Sequence, residues 1–567
     1  MEKKNEAWVK SMLETMSDRQ KTGQLIMATT IWDERNGFGA DAYDPAPVSQ
    51  LEHMQTMIQQ YHAGSVIIYN WSRAGTMTRF NNQLQQWALE MDPGIPLFIS
   101  ADLEYGLAQR LPYEATVFPR QMGIGAAGKE DFAWEQGRIT ALEGLATGFN
   151  WSYSPVADVN VSPQNPVIGV RAFGEQTEEV SRLTAAMVRG SQEHGMIATP
   201  KHFPGHGDTD FDSHYDLSMV SYDMETLRKI HLPPFQAAID AGADAIMTAH
   251  VVIEALDPSL PATLSEKVLT GLLRQEMGFE GIVVTDAMSM DAIDDYWGAG
   301  EAAVMAILAG ADIIMATGTP GQQAETFEAL YSAVQEGVIS KERLEESVGR
   351  ILRTKAKYGL DRFKMPDPAK ALVVAGHEDH RQKAREIAVA SMTLVRNEGI
   401  LPFDPNDGST TLVAGVAYVP ELTGIVENRS SGAVLSWQYG RLPADINPTK
   451  TAVEEAMALA RNANRIIAFT YSYSSLKEGQ RALVEAFAAT GKPMAVVSLG
   501  LPYDLLSFPD VPAYLATYSL DRWPHATPTP VVWDAVIDVL FGLEQPGGRL
   551  PVSIGEDWPL GYGLDYP

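Results

Sequence analysis

Residues 281–297 read GIVVTDAMSMDAIDDYW, and this stretch holds one complete unit of the pattern that decides the fold. A short apolar run is followed by a polar loop and then by a stretch of helical character. The unit recurs over roughly the first 360 residues. It gives candidate strands at 25–29, 65–69, 96–100, 150–155, 196–200, 243–248, 281–285 and 311–316.

The composition of these strands indicates how they pair. Most are too apolar for strands with one solvated face, which is typical of a parallel sheet covered on both sides. Eight parallel strand–helix units of this length predict a (β/α)8 barrel of the TIM type over residues 1–360. We expect the barrel to end with a helix at 340–358. Ser340 can cap this helix, an apolar stripe runs along it, and Gly359 is a plausible stop.

Beyond the barrel the sequence predicts a linker at 361–380, which contains the sequence MPDP. A second, smaller domain at 381–567 is expected to open with a helical segment at 381–396. Apolar strands and helical stretches then alternate, which predicts an α/β/α sandwich on a parallel sheet. The strands are expected at 411–416, 465–470, 494–499 and 513–517, and the helices at 451–460 and 479–490.

Charge and composition narrow the classes of function. The 567-residue chain has a formal net charge of −29, which disfavours binding to nucleic acid or to anionic membrane surfaces. It has no cysteine, so disulfides, thiolate metal sites and cysteine nucleophiles are excluded. No apolar run is long enough for a spanning helix, and no apolar segment follows the early lysines. We therefore expect a cytoplasmic protein.

Polar residues follow several of the predicted strands directly. Asp102 follows the third strand, Asp158 the fourth, Lys201 and His202 the fifth, His250 the sixth and Asp286 the seventh. In a barrel of this type, residues at the carboxyl ends of the strands line the active site. A single such residue can be structural, but this convergence predicts a functional rim.

The most informative loop spans residues 201–214 and reads KHFPGHGDTDFDSH. Its three histidines and three aspartates leave three interpretations open. His206, Asp208, Asp210 and His214 are potential ligands of a divalent metal ion. The charged side chains can also be solvated or cap a helix. Finally, Asp212 lies two residues from His214 and can orient and charge-stabilise its imidazole for acid–base catalysis.

This segment resembles the signature of glycoside hydrolase family 3, in the two-domain form of its β-N-acetylglucosaminidase branch. That signature reads close to KH(F/I)PGxGxxxxDSH, and every fixed position is present. The resemblance implies that His214 is the general acid/base and Asp212 its partner. It also implies that Asp286, at the end of strand seven, is the nucleophile. Without the resemblance, a helix cap would be the better interpretation of Asp286.

Other segments extend the resemblance over nearly the whole chain. SADLEYGLAQR at 100–110 and NPVIGVRAF at 165–173 are similar to sugar-binding stretches of the family, and ASMTLVRNEGILPF at 390–403 is similar to the opening of its second domain. The residues that the resemblance implies for substrate binding are Asp102, Arg110, Arg171, Lys201 and His202. His250 is a candidate for the pocket wall.

The resemblance implies an exo-acting, retaining β-N-acetylglucosaminidase that uses no cofactor and no metal. Its substrate would be a small or oligosaccharide glycoside from cell-wall or chitin fragments, as in peptidoglycan recycling, and the protein would be a monomer or homodimer. A family 3 β-glucosidase or β-xylosidase is an alternative, in which Glu478 of the second domain is a candidate acid. A phosphorylase acting on N-acetylglucosaminides and a catalytically inactive sugar-binding protein are the others.

Overall fold

The computed structural model describes residues 2–30, 37–38, 48–209, 218–440, 445–521 and 530–567. The chain divides into two compact units. The first contains residues 1–116, 133–158 and 184–377, and the second contains 117–132, 159–183 and 378–567. A helix, Pro368–Val374, lies within the stretch predicted as linker. The domain boundaries inferred from the sequence stay a prediction.

Parallel strands form a closed barrel in the part of the first unit that the structure describes. They are β1 (Ile26–Thr29), β2 (Ser65–Ile67), β3 (Phe98–Ala101), β4 (Trp151–Ser152), β5 (Ile197–Ala198), β6 (Ala245–Met247), β7 (Ile282–Val284) and β8 (Ile314–Ala316). Ladders join β8, β1, β2, β3, β4 and β5 in that order, and β6 pairs with β7. Parallel bridges from Phe203 to Thr248 and from Val284 to Ile313 close the ring. The predicted (β/α)8 barrel is confirmed.

Helices follow the strands and cover the barrel. Lys341–Lys357 illustrates why they form where they do. The Ser340 hydroxyl accepts a hydrogen bond from the amide of Arg343 at 3.1 Å, and the chain leaves the helix at Gly359 with a φ of 75°. The apolar stripe of this helix is buried, as the sequence predicted. The longer helices described before residue 378 are Glu2–Thr15, Val48–Gln59, Ala74–Leu89, Glu130–Ala146, Thr177–Gln192, Pro233–Asp240, Ala299–Ala309, Pro320–Gln335 and Lys341–Lys357.

The remaining elements of this half of the chain are short. Helices Asp18–Gln24, Gln121–Ala127 and Asp291–Trp297 and the helical segment Lys267–Glu276 connect or flank the longer ones. Two small parallel pairs lie apart from the barrel ladders: Gly37–Phe38 with Trp71–Ser72, and Ser218–Val220 with Val251–Ile253. None of the helices in the described ranges has the length and apolar composition needed to cross a membrane.

The second unit is built on one mixed sheet. Its strands are β9 (Thr393–Asn397), β10 (Thr411–Gly415), β11 (Val434–Gln438), β12 (Arg465–Thr470), β13 (Met494–Ser498) and β14 (Ala513–Ala516). They lie in the order β9-β14-β13-β12-β10-β11, parallel except for the β9–β14 pair. Alternate residues of the central strands point to opposite faces, and both sets are buried, so helices cover the sheet on both sides.

The helices of this unit are Glu378–Ser391, Val419–Arg429, Lys450–Ala460, Glu478–Ala488 and Pro530–Leu540. The α/β/α sandwich is confirmed, with one local correction. The segment 381–396 was expected to be helical throughout, but the helix ends at Ser391 and β9 begins at Thr393. The run Thr393–Val395 is β-branched and apolar and pairs with β14, so sheet formation prevails there.

Candidate active site

The polar residues that follow the barrel strands lie at the carboxyl ends of those strands. Asp102 immediately follows β3, and Asp286 lies two residues beyond β7. Lys201 and His202 come just after β5, where Lys201 forms an isolated parallel bridge with Val156. Because all eight strands are parallel, these side chains belong to one face of the barrel, the face that carries the active site in this architecture.

A charged cluster joins the ends of β3 and β5. The Lys201 ammonium lies 2.7 Å from Asp102 Oδ1 and 2.8 Å from Glu104 Oε1. Arg110 Nη2 donates to the other Asp102 oxygen at 3.2 Å. The Lys201 side chain is only 3% exposed, whereas that of Asp102 is 20% exposed. Two cations therefore fix the Asp102 carboxylate, and this carboxylate is the part of the cluster that a ligand can reach.

A second cluster is centred on Asp158, which is fully buried in the loop that follows β4. Its Oδ2 accepts the hydrogen bond of His202 Nδ1 at 2.8 Å, and its Oδ1 accepts from the amide of His206 at 2.7 Å. The opposite ring nitrogen, His202 Nε2, lies 4.0 Å from Asp286 Oδ2. The fixed imidazole of His202 therefore stands beside the candidate nucleophile.

Asp286 is held from its own side as well. Its Oδ1 accepts a hydrogen bond from the amide of Ala287 at 2.7 Å. The carbonyl of Ala287 lies 3.0 Å from His250 Nε2, while His250 Nδ1 lies 2.8 Å from the Thr263 hydroxyl. The Asp286 side chain keeps 22% of its surface exposed. Its carboxylate is thus oriented yet accessible, as a nucleophile must be.

The negative charges of Asp102 and Asp286 both affect the pKa values of two buried tyrosines, Tyr69 and Tyr153. Burial raises the pKa of Tyr69 well above its usual range, and the negative charges of Asp102 and Asp286 raise it further. Burial has the same effect on the pKa of Tyr153, to which Asp102 and Asp286 again add. Both carboxylates therefore act at short range on one region of the barrel, and the two phenols remain neutral hydrogen-bonding groups.

The backbone between His202 and His206 needs a glycine. Gly205 has a φ of 130°, and a Cβ at this position would lie 2.8 Å from the Cβ of His231. Burial lowers the pKa of His231 to about 4, so this imidazole is neutral at physiological pH. The close packing of Gly205 on His231 places the amide of His206 within reach of Asp158.

The structure does not bring every predicted site residue to this rim. Asp212 and His214, together with Asp210 of the metal interpretation, lie outside the described residues. Arg171 belongs to the second compact unit, where its Nη1 donates to the carbonyl of Val167 at 3.1 Å. The residues that the structure does bring together are Asp102, Arg110, Lys201, His202 and Asp286.

The structure adds Glu104 to the site and gives Asp158, which the sequence placed on the rim, a specific partner. Glu104 shares the Lys201 ammonium with Asp102, and Asp158 holds His202. The sequence contained a signal for Asp158, because this residue follows the fourth predicted strand. It contained no signal that Asp158 would contact a histidine 44 positions away. His250, expected only in the pocket wall, contacts the backbone next to Asp286.

Both parts of the chain match models of one known family. Residues 18–354 match the model of the glycosyl hydrolase family 3 N-terminal domain, and residues 392–564 match that of the family's C-terminal domain. The chain belongs to glycosyl hydrolase family 3.

Relatives of this family 3 chain span nearly its full length. It is 29% identical to beta-hexosaminidase A of Pseudoalteromonas piscicida over 88% of its own length and 91% of the relative's. It is 28% identical to a beta-N-acetylglucosaminidase/beta-glucosidase of Cellulomonas fimi, covering 96% and 95%. The solved structure of a family 3 beta-N-acetylglucosaminidase from Paenibacillus sp. superposes with a TM-score of 0.83 at 34% identity, covering 95% and 99%.

Proposed function

We propose that this chain is an exo-acting, retaining β-N-acetylglucosaminidase. The observation that carries the proposal is the accessible Asp286 carboxylate 4.0 Å from the fixed His202 ring, on the barrel face that holds the Asp102–Lys201–Arg110 cluster. Membership of glycosyl hydrolase family 3 and the similarity to a beta-hexosaminidase and a beta-N-acetylglucosaminidase support this activity.

In the proposed mechanism, Asp286 attacks the anomeric carbon and forms a covalent glycosyl-enzyme. His214 donates a proton to the leaving oxygen and then removes a proton from the water that releases the sugar. Asp212 orients the His214 ring and favours its charged form. The hydrogen bond from the amide of Ala287 to Asp286 Oδ1 supports the proposal, because it fixes the orientation of the carboxylate.

The remaining predicted residues are proposed to bind the terminal sugar. Asp102, with its orientation fixed by Lys201 and Arg110, accepts hydrogen bonds from sugar hydroxyls. Lys201 contacts Asp102, and the next residue, His202, lies 4.0 Å from Asp286, so these two residues connect the two carboxylates. Arg171 is proposed to bind the sugar as well. The natural substrates we propose are cell-wall or chitin fragments with a terminal N-acetylglucosamine, turned over in the cytoplasm as part of peptidoglycan recycling.

Two substitutions test the assigned roles. Asp286→Ala is expected to lower kcat on p-nitrophenyl N-acetylglucosaminide by about a thousandfold or more. Added azide should restore turnover and give the α-glycosyl azide. Asp291→Asn, five residues further along the chain, serves as the control and should keep its activity. Azide product of the β configuration, or full activity in Asp286→Ala, would remove Asp286 from the mechanism.

For His214→Ala, the loss should depend on the leaving group. Aryl glycosides with good leaving groups need little protonation, so they should be cleaved almost normally to the covalent stage. Alkyl glycosides or chitobiose should be cleaved about 10²- to 10⁴-fold more slowly. If both classes of substrate were cleaved at the wild-type rate, His214 would not be the proton donor.

A second activity, on glucosides, is favoured by one observation: the Cellulomonas fimi relative carries both activities in its name. Comparing kcat/KM on p-nitrophenyl N-acetylglucosaminide and on the matching glucoside measures the preference directly. We expect the N-acetylglucosaminide to be the better substrate. Repeating the assay with and without inorganic phosphate, and analysing the product for a sugar 1-phosphate, distinguishes hydrolysis from phosphorolysis.

A further inference from the structure

We propose that Asp158 is a positioning residue that fixes His202 as its Nδ1–H tautomer, so that His202 Nε2 accepts a hydrogen bond from a hydroxyl of the sugar. The inference rests on the proposed function for the identity of the sugar. It concerns which partner in the His202–ligand contact supplies the proton, and hence which sugars the site accepts.

The contacts of Asp158 carry the first step. Its carboxylate has no exposed surface and receives three donors: His202 Nδ1 at 2.8 Å, the His206 amide at 2.7 Å, and the His202 amide at 3.3 Å from each oxygen. An ionised carboxylate only accepts hydrogen bonds. When the His202 ring is neutral, its proton must therefore sit on Nδ1, which leaves a lone pair on Nε2.

The direction of Nε2 carries the second step. Nε2 lies 4.0 Å from Asp286 Oδ2, which is too far for a direct hydrogen bond. A ligand hydroxyl within hydrogen-bonding distance of Nε2 would lie beside Asp286. If that hydroxyl donates its single proton to Nε2, it has none left for Asp286. The tautomer thus binds the sugar without directing an N–H group towards the Asp286 carboxylate.

The opposite tautomer would change both effects. An Nε2–H group would require an acceptor on the ligand and would also point a donor towards Asp286, which weakens a carboxylate nucleophile. Asp158→Asn is expected to produce this tautomer. An amide has one acceptor oxygen and a donor NH2 group, so it cannot serve donors on both sides. The backbone amide of His206 cannot give up its proton, whereas the His202 ring can move its proton to Nε2.

Nitrogen-15 NMR of the histidine-labelled, unliganded protein tests the tautomer without any need for activity. The His202 signals, identified by their loss in His202→Gln, should show a protonated Nδ1 and an unprotonated Nε2. In Asp158→Asn the pattern should reverse. A protonated Nε2 in the wild-type protein would overturn the proposal. Because this measurement needs no turnover, it still tests the inference if the proposed glycosidase activity fails.

Binding of modified sugars tests the consequence. We would measure competitive inhibition by N-acetylglucosamine and by its 3-, 4- and 6-deoxy and deoxyfluoro analogues, because fluorine can accept but cannot donate a hydrogen bond. At one position both analogues should bind about 10- to 100-fold more weakly than the parent. In Asp158→Asn the fluoro analogue should bind better than the deoxy analogue there. A fluoro analogue that binds the wild-type protein as well as the parent at every position would contradict the proposal.

A matched control separates this effect from a general loss of packing. Asp257 is a buried barrel aspartate that accepts hydrogen bonds from Ser259 and Ser265. Asp257→Asn should leave the order of the inhibitors unchanged. If Asp158→Asn does not fold, Asp158→Glu retains a carboxylate and should retain the wild-type tautomer and the wild-type order.

Discussion

His250 connects a buried hydroxyl to the backbone beside the candidate nucleophile. Its Nε2 lies 3.0 Å from the carbonyl of Ala287, which can only accept, so Nε2 is the donor. Nδ1 faces the Thr263 hydroxyl at 2.8 Å. The amide of the same Ala287 donates to Asp286. The His250 side chain therefore bears on the direction of the Asp286 carboxylate through the backbone of Ala287.

Replacing His250 should accordingly affect turnover more than binding. In His250→Phe the carbonyl of Ala287 loses its donor, and a displaced carboxylate costs rate steeply, so kcat should fall about 10- to 100-fold with KM changed less. His250→Gln supplies an amide donor and should recover part of that loss. Steady-state kinetics on an aryl N-acetylglucosaminide measures both effects. Equal changes in the two variants would mean that the hydrogen bond to Ala287 does not matter.

At the scale of elements, Asp312 ties the start of β8 to its neighbours on the face opposite the candidate site. Its carboxylate has no exposed surface, accepts from Arg274 at 2.6 Å and Arg350 at 3.0 Å, and also accepts from the amide of Val283 in β7. Burial alone would raise its pKa, but Arg274, Arg350 and Arg343 outweigh this effect and hold the pKa of Asp312 below its usual range.

Removing this charge should destabilise the barrel and leave the chemistry unchanged. Asp312→Asn leaves three guanidinium groups around a neutral side chain, and breaking a buried ion pair typically costs about 3–5 kcal/mol. A carboxylate whose pKa is lowered by folding stabilises the folded protein at pH values above its unfolded-state pKa, and this stabilisation is lost as the pH falls below that pKa. The destabilisation caused by Asp312→Asn should therefore be smaller in acid. Urea unfolding at pH 7 and at about pH 2.5 measures it, because the loss begins near the unfolded-state pKa of about 3.9. Exposed Asp295→Asn is the control; a large loss of kcat in folded Asp312→Asn would contradict this assignment.

The sequence predicted the elements well but not their ends. All the barrel strands lie inside the predicted runs or within one residue of them, because buried parallel strands are short apolar runs that composition reveals. The fourth run was predicted to extend to residue 155, but the strand stops at Ser152. Pro155 has no amide proton to give to a ladder, although its carbonyl accepts a hydrogen bond from the amide of Lys201.

The sequence did not predict which side chains from distant parts of the chain would contact each other. The Asp158–His202 and Asp102–Lys201 pairs join residues separated by 44 and 99 positions. Polar residues at strand ends predicted that these side chains would share a rim, because that follows from parallel pairing. Which nitrogen meets which oxygen depends on loop paths that periodicity does not encode. Family resemblance supplied the proposed roles of Asp212, His214 and Arg171, and those roles stay predictions.

At the scale of the whole molecule, two buried groups make stability depend on pH in opposite directions. Burial raises the pKa of Asp504 in the second unit to about 6, although Thr470 and Ser472 donate to its carboxyl group. The contribution of the protonated Asp504 side chain to the free energy of unfolding is lost as the pH rises from the unfolded-state pKa of this group towards 6. Burial lowers the pKa of His231 in the first unit to about 4, so its contribution is lost as the pH falls from about 6.5 towards 4.

A single substitution isolates the contribution of Asp504. Asp504→Asn removes the cost of ionising a buried carboxyl group, so the difference in unfolding free energy from the wild type should shift in favour of the variant by about 2 kcal/mol between pH 4 and pH 7. Denaturant titrations at several pH values, followed by a spectroscopic signal from the second unit, measure this shift. A difference that does not change with pH would show that Asp504 is ionised normally in the folded protein.

The hydrogen bond from Val283 to Asp312 has a practical consequence for engineering. One end of β7 is anchored by a buried ionic cluster, while the chain beyond its other end presents the reactive Asp286. Three residues of extended chain separate these tasks by about 10 Å. A redesign of substrate preference can therefore alter the loops at the carboxyl ends of the strands while the Asp312 cluster is kept unchanged. Substitutions that stabilise the barrel around Asp312 would offset the loss of stability that such loop changes cause.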